Sequence, residues 1–135
     1  MPDAAAVTDF LARVFPQCRC RITALGERGA TVRQSVSEAD LRPGGTVSGT
    51  TLMGVADVAL YVAILGEIGL EALTVTTSFT MNFLRKPTAE RDLIGVCRLM
   101  KLGRTLVVGE VSVYSEGTAE AVAHAVGTYS IPPRR

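Results

Sequence analysis

The sequence predicts an α+β domain in which an antiparallel sheet wraps around one central helix. Three observations predict it: an amphipathic N-terminal segment, a strongly apolar helical segment over residues 51–68, and alternation of period two through most of the remaining chain. A helix that is apolar nearly all round must be enclosed, and the strands are the elements that can enclose it. The length of 135 residues fits one domain over residues 1–135.

The N-terminal half is predicted to form a helix, a hairpin and the central helix. The first segment spaces its apolar side chains for one helical face and stops at Pro16, which cannot continue a helix. Residues 26–29 separate two alternating stretches and predict a turn, and Gly66 and Gly69 close the central helix. The predicted bounds are a helix over Ala4–Phe15, strands over Arg19–Leu25 and Ala30–Val36, a Gly/Pro loop over Leu41–Gly49 and a helix over Thr51–Ile68.

The C-terminal half is predicted to be an antiparallel meander. Apolar and polar residues alternate through four stretches, and short polar or glycine-containing segments at residues 103–104 and 116–118 provide tight turns between the last three. The predicted strands are Leu73–Leu84, Asp92–Leu102, Thr105–Ser115 and Ala119–Ser130.

The composition argues against several classes of protein. A net charge of +1, from 14 basic and 13 acidic residues, predicts neither a nucleic-acid partner nor a charged membrane surface. One histidine and three irregularly spaced cysteines predict no metal site and no disulfide framework, and they favour a cytoplasmic location. The longest apolar run, Val58–Leu65, is far shorter than the roughly 20 residues of a membrane span, so we expect no membrane partner.

Asp57 is the only charged residue between Leu52 and Leu65 of the central helix. An unpaired carboxylate in apolar surroundings costs free energy, and alanine or leucine would stabilise the helix better. We therefore interpret Asp57 as a functional residue. The alternative is that a neighbouring hydroxyl or arginine caps the carboxylate, and that Asp57 only fixes packing.

Three further residues share the helical face of Asp57, namely Thr50, Gly54 and Tyr61. Glycine inside a helix costs about 1 kcal/mol relative to alanine. Gly54 lies one turn before Asp57, where the missing side chain leaves open space beside the carboxylate. We expect a ligand to approach Asp57 through that space.

The start of the central helix offers a second kind of group. Its first backbone N–H groups point out of the positive end of the helix, where they can hold a carbonyl oxygen that becomes an oxyanion. Ser48 is either the N-cap of the helix or a direct substrate contact. Asp57 lies about 12 Å from Gly49 by the helical rise, so one helix does not bring both onto one small group. That distance indicates that a second chain forms the opposite wall of a site.

Two segments of the chain carry a family pattern. The first is Arg42–Asp57, which ends in an alanine followed by an acid. A family loop reads His-Gly-Gly, then six intervening positions, then the catalytic acid, and Asp57 stands at the spacing of that acid. The second, Thr76–Arg85, ends in Asn-Phe-Leu-Arg, as does a family strand. Together they resemble the hotdog-fold acyl-CoA thioesterases of the phenylacetate-degradation type. The resemblance covers roughly residues 38–131.

The resemblance implies a hotdog fold that hydrolyses an acyl-CoA thioester, with coenzyme A as part of the substrate and no other cofactor. By position, Asp57 matches the catalytic acid, which acts as nucleophile or as general base for water. Gly49 matches the residue whose backbone N–H polarises the carbonyl, and Thr76 falls near a hydroxyl residue that orients the water. The family builds its site between two chains, so we expect a homodimer or a tetramer.

The candidate substrate-binding residues combine the helix face, the helix start and basic strand ends. The basic ones suit the phosphates of coenzyme A, with plain solvated surface charge as the alternative. The set comprises Ser48, Thr50, Gly54, Tyr61, Asn82, Arg85, Lys86 and Arg104.

The sequence departs from the family pattern at the start of the helix. Ser48 stands at the family histidine, Thr50 stands at the second glycine, and Lys86 is inserted before the proline of the strand motif. The missing histidine motivates the alternative of a non-catalytic acyl-CoA or small-ligand binding protein. A hotdog dehydratase is a third alternative and needs a histidine beside the acid. His124 is expected instead to be a half-buried residue of the last strand.

Overall fold

The longest helix of the chain lies against a six-stranded antiparallel sheet in the computed structural model, which describes residues 1–133. This arrangement confirms the predicted α+β class and the wrapped central helix. A short 3₁₀ turn at Glu38–Asp40 precedes the central helix. In chain order the elements are α1 (Ala4–Val14), β1 (Arg21–Gly26), β2 (Gly29–Gln34), β3 (Leu41–Arg42), β4 (Thr46–Val47), α2 (Gly49–Ile68), β5 (Val75–Phe83), β6 (Leu93–Leu102), β7 (Leu106–Ser115) and β8 (Ala123–Ser130).

The strand order of the sheet is β1-β2-β6-β7-β8-β5. The predicted meander is correct for β6, β7 and β8 and wrong for β5, which pairs with β8 instead of β6. The reason is that β2 occupies the other side of β6, with Gly29 opposite Arg98 and Gln34 opposite Leu93. The first hairpin is thereby joined to the C-terminal strands, and β5 is left as an edge strand.

Most element bounds differ from the prediction by one or two residues, and three of the differences have an identifiable cause. The predicted Gly/Pro loop contains the two-residue strands β3 and β4, which pair with each other. The central helix begins at Gly49, two residues before the predicted start, because Ser48 caps it. The last strand begins at Ala123 and not at the predicted Ala119. Before it the chain turns over Ser115, whose carbonyl accepts hydrogen bonds from the N–H (3.1 Å) and the hydroxyl (2.7 Å) of Thr118.

The sheet covers most of α2. By length and composition alone α2 could cross a membrane, with a mean hydropathy of 1.7, but 61% of that apolar window is buried inside the fold. This burial is the packing of a core helix. The helix is exposed only along part of its N-terminal half, at Thr50, Met53 and Gly54, so the expected enclosure is incomplete one turn before Asp57.

Two paired glycines set how closely the sheet approaches the helix. Gly109 of β7 lies opposite Gly127 of β8, and both lie over Leu60 of α2. A Cβ atom on Gly109 would lie 2.5 Å from a methyl carbon of Leu60, and one on Gly127 would lie 2.7 Å from the other methyl carbon. The absence of side chains at both positions therefore fixes the depth at which α2 lies in the sheet.

We expect Gly109→Ala to lower the free energy of unfolding by about 1 to 3 kcal/mol, because the added methyl group overpacks the contact with Leu60. Urea unfolding followed by circular dichroism measures this change. Gly26→Ala is the matched control, since a Cβ there meets nothing within 4 Å. Equal stability of the two variants would contradict the proposed close packing.

Candidate active site

The Asp57 side chain is held where α2 passes beneath β5 and β8. Its Oδ1 atom accepts a hydrogen bond from the Thr76 hydroxyl at 2.8 Å and another from the Tyr129 hydroxyl at 2.7 Å. Within residues 1–133 no group donates to Oδ2. A neighbouring hydroxyl therefore does cap the carboxylate, as the packing alternative required, but only on one of its two oxygens.

A cleft of about 380 Å³ opens beside Asp57. Tyr61 and Tyr129 stack along it, with ring centroids 6.0 Å apart and planes at 18°, and the Tyr61 hydroxyl donates to the Ala72 carbonyl at 3.4 Å. The end of α1 closes one side. The lining residues are Val14, Phe15, Asp57, Tyr61, Ala72, Thr74, Val75, Thr76 and Tyr129.

A larger cavity of about 770 Å³ lies at the other end of α2. Its walls are formed by residues 68–71 and 73 together with residues 131–133, and it contains none of the predicted site residues. We place the candidate site in the smaller cleft, because that cleft combines a carboxylate with two hydroxyl donors.

Tyr129 is a site residue that the sequence analysis missed. It is only 3% exposed, and burial together with the neighbouring Asp57 charge raises the pKa of its phenol. The phenol therefore keeps its proton and remains a hydrogen-bond donor near neutral pH. The alternation of apolar and polar residues along β8 places Tyr129 on the core-facing side, but no sequence pattern indicates its contact with Asp57.

The start of α2 is arranged as an N-cap. The Ser48 side chain accepts a hydrogen bond from the Thr51 N–H at 3.2 Å, and its hydroxyl lies 2.8 Å from that of Thr50. The capping interpretation of Ser48 is therefore correct. Within the described part of the chain, the backbone N–H groups of Gly49 and Thr50 have no acceptor. The Phe83 ring lies against Gly49, 3.2 Å from where a Cβ would be.

Asp40 is a second residue that the sequence analysis missed, and it anchors this helix start. Its carboxylate, 2% exposed as a residue, accepts hydrogen bonds from the Arg19 guanidinium, the Ser37 N–H (2.8 Å) and the Thr51 hydroxyl (3.0 Å). Its carbonyl accepts from the Ser48 N–H at 2.7 Å. Burial alone would raise the pKa of Asp40, but these donors outweigh burial and lower it to about 2.

The basic candidates do not converge within one chain. Arg85 forms an ion pair with Glu120 at 2.7 Å beside the start of β8, and Lys86 lines the same small depression. Arg104 lies in the turn between β6 and β7, beside residues at the other end of β8. The two ends of β8 are about 24 Å apart by the strand rise. Asn82 is exposed on the edge strand β5.

His124 lies on the face of the sheet that points away from α2, as the burial alternation of β8 requires. Its Nε2 atom is 3.0 Å from an oxygen of Glu110, a cross-strand contact that sequence order did not reveal, and its side chain is 37% exposed. The prediction of a half-buried strand residue is confirmed. Within residues 1–133 of one chain, no histidine contacts Asp57. Nor do any three His, Cys, Asp or Glu side chains among them cluster as a metal site.

A sheet wrapped around an apolar helix, with Asp57 two turns from the open N-terminus of that helix, is the arrangement of the hotdog-fold thioesterase class. The family model of the thioesterase superfamily matches residues 44–122. A crystal structure of a candidate thioesterase from Silicibacter sp. TM1040 is 47% identical, covers 97% of this chain and 92% of its own, and has a TM-score of 0.89. The chain belongs to the thioesterase superfamily.

More distant solved structures share the fold. A mutant of the phenylacetic acid degradation protein PaaI from Thermus thermophilus is 24% identical, with a TM-score of 0.75 over 92% of this chain and 99% of its own. A hypothetical thioesterase from Streptococcus pneumoniae, solved with coenzyme A, is 20% identical, with a TM-score of 0.81 over 96% of this chain and 99% of its own. A search of curated proteins gave no match.

The Asp40 anchor predicts how stability depends on pH. The folded-state pKa of Asp40, about 2, lies below its ordinary value of 3.8. The ionised carboxylate therefore adds to the free energy of unfolding above about pH 4, and this contribution is lost as the pH falls towards 2. We expect Asp40→Asn to lose that contribution, so that its deficit in the free energy of unfolding shrinks between pH 4 and pH 2. Urea titrations across this range measure it, beside the exposed-acid control Glu90→Gln. A pH-independent deficit would contradict the charged anchor.

Proposed function

We propose that the protein hydrolyses an acyl-CoA thioester to the free acid and coenzyme A, and that Asp57 carries the reaction. The observation that supports this is the carboxylate itself. Thr76 and Tyr129 hold one of its oxygens, the other has no partner in the described chain, and Asp57 lines an open cleft. A helix that is otherwise apolar has no structural need for such a group. Membership of the thioesterase superfamily supports thioester hydrolysis as the reaction class.

Asp57 can act in two ways. As a general base it accepts a proton from water while the water oxygen attacks the thioester carbonyl carbon. The tetrahedral intermediate then collapses, the carbon–sulfur bond breaks, and the proton passes to the leaving thiolate. As a nucleophile the carboxylate attacks the carbonyl and expels the thiolate, and water hydrolyses the resulting anhydride. Both routes end with the same free acid and thiol.

The oxyanion that forms in either route needs a donor. The backbone N–H of Gly49 fits that role, since it lies at the positive end of α2 and has no acceptor within residues 1–133. Gly49 and Asp57 of one chain are about 12 Å apart along the helix, so the donor that faces Asp57 comes from a second copy. We therefore propose a homodimer, alone or within a tetramer, as the active form.

Coenzyme A is the proposed carrier of the acyl group. The pneumococcal structure solved with coenzyme A supports this assignment by its fold alone. Arg85 and Lys86 at one end of the sheet, and Arg104 at the other, offer positive charge for phosphates. Because the two groups are far apart within a chain, one coenzyme A meets only one of them unless a second copy supplies the other.

One observation favours ligand binding without hydrolysis as a second candidate function. Ser48 stands where the family has histidine, and its hydroxyl is engaged in capping α2 with Thr50 and Thr51. The helix start therefore lacks the imidazole donor of the family, and its Ser48 hydroxyl already has partners. Binding of acyl-CoA with no release of coenzyme A across a broad panel would support this candidate over hydrolysis.

We expect Asp57→Asn to lower kcat by about 10³-fold, because the amide neither accepts the proton of water nor attacks a carbonyl. Release of coenzyme A from short, medium, long and aromatic acyl-CoAs measures the loss. The variant is expected to keep the unfolding midpoint and the affinity for acyl-CoA, since the amide oxygen still accepts from Thr76 and Tyr129.

Asp9→Asn on the exposed face of α1 is the control for the same chemical change. It is expected to behave as the wild-type protein. Turnover by Asp57→Asn at the wild-type rate would remove Asp57 from the mechanism and would contradict the proposed function.

A further inference from the structure

We infer that Tyr129 is a positioning residue which, together with Thr76, occupies Oδ1 of Asp57 and leaves Oδ2 as the single reacting oxygen. This inference rests on the proposed function, because it assigns the oxygen that performs the reaction. The evidence is the hydrogen-bond geometry around the carboxylate and the pairing of the two strands that supply the donors.

An ionised carboxylate oxygen accepts two hydrogen bonds along its lone pairs. Oδ1 accepts from Thr76 at 2.8 Å and from Tyr129 at 2.7 Å, so both of its positions are filled. Oδ2 has neither partner and no other donor within residues 1–133. Proton uptake from water, or attack on a carbonyl, therefore falls to Oδ2.

The two donors are held in a fixed relation to each other. Thr76 of β5 and Tyr129 of β8 are direct cross-strand partners in the sheet. Their hydroxyls converge on one atom because both strands pass over the same turn of α2. The Tyr129 hydroxyl also lies 3.2 Å from the main-chain carbonyl of Asp57, and its ring is stacked on Tyr61. The orientation of the carboxylate is thus fixed by side chains of the sheet as well as by the helix that carries Asp57.

The arrangement also defines what Thr76 offers to water. Its single hydroxyl proton is donated to Oδ1, so the oxygen of Thr76 is left as an acceptor. A water molecule that donates one hydrogen bond to Oδ2 can donate its other one to Thr76. With both protons donated, the lone pairs of the water oxygen are free to attack a carbonyl carbon. Tyr129 is only 3% exposed whereas Thr76 is exposed, so we assign the contact with water to Thr76.

Kinetics of Tyr129→Phe test the inference, with the acyl-CoA that wild-type protein hydrolyses best. The phenyl ring keeps the stack on Tyr61 and removes only the donor. We expect kcat to fall about 10- to 100-fold with KM changed less than about threefold, since a lost hydrogen bond to a charged group acts on the reacting carboxylate and not on binding. Tyr114→Phe, on the face of the sheet away from α2, is the control and keeps wild-type kinetics.

A double variant separates positioning from general structure. If the two hydroxyls act together on Oδ1, the combined loss in Thr76→Val with Tyr129→Phe departs from the product of the single losses. A purely structural role would lower the unfolding midpoint and the amount of active protein while leaving the kcat of the folded fraction unchanged. Titration of active sites and thermal unfolding distinguish the two.

The outcomes for this inference and for the proposed function are distinct. Inactive Asp57→Asn together with Tyr129→Phe that matches Tyr114→Phe would overturn the positioning role and leave the proposed function standing. A wild-type protein that releases no coenzyme A would overturn both. A selective loss of kcat in Tyr129→Phe, coupled to Thr76, would support the inference.

Discussion

The rigid helix α2 is the constraint on which the rest of the structure depends. It carries Asp57 and the open N-terminus at Gly49 on one rod, and the sheet holds that rod at a depth set by two glycines over Leu60. Because an α-helix is rigid over two turns, the two groups remain about 12 Å apart along its axis. The chain therefore presents two halves of a reaction centre that do not meet, and we propose that a second copy joins them.

The proposed chemistry depends on the unequal hydrogen bonding of the two oxygens of the Asp57 carboxylate. A buried polar group without a partner costs free energy, whereas one fully satisfied is inert. Asp57 lies between these limits, because Thr76 and Tyr129 hold Oδ1 while Oδ2 has no partner within residues 1–133. In the proposed mechanism the structural role and the reactive role therefore fall to different oxygens of the same side chain. The packing interpretation made from sequence therefore holds for Oδ1, and the functional interpretation of Asp57 stays a prediction.

Local patterns predicted much of the fold and part of the site. A charge in an apolar helix made Asp57 a candidate, and a serine just before that helix predicted the N-cap at Ser48, because both signals are local to one element. Tyr129 and Asp40 escaped prediction because their contacts join residues far apart in the chain, which no periodicity encodes. The edge position of β5 escaped for the same reason, since it depends on β2 having already taken the free side of β6.

Complementation between two inactive variants tests the shared site most directly. Gly49→Pro removes the proposed oxyanion donor at the first helical position, which suits proline, and Ser48 already has the extended backbone (φ −70°, ψ 148°) that precedes proline. The half-exposed Phe83 ring, 3.2 Å from where a Cβ would be, has to shift slightly to admit the proline ring. Co-expressed with Asp57→Asn under a second tag and purified as a heterodimer, Gly49→Pro should recover about half of wild-type turnover, since one of two sites is intact. A heterodimer as inactive as each parent would contradict a site built from two chains.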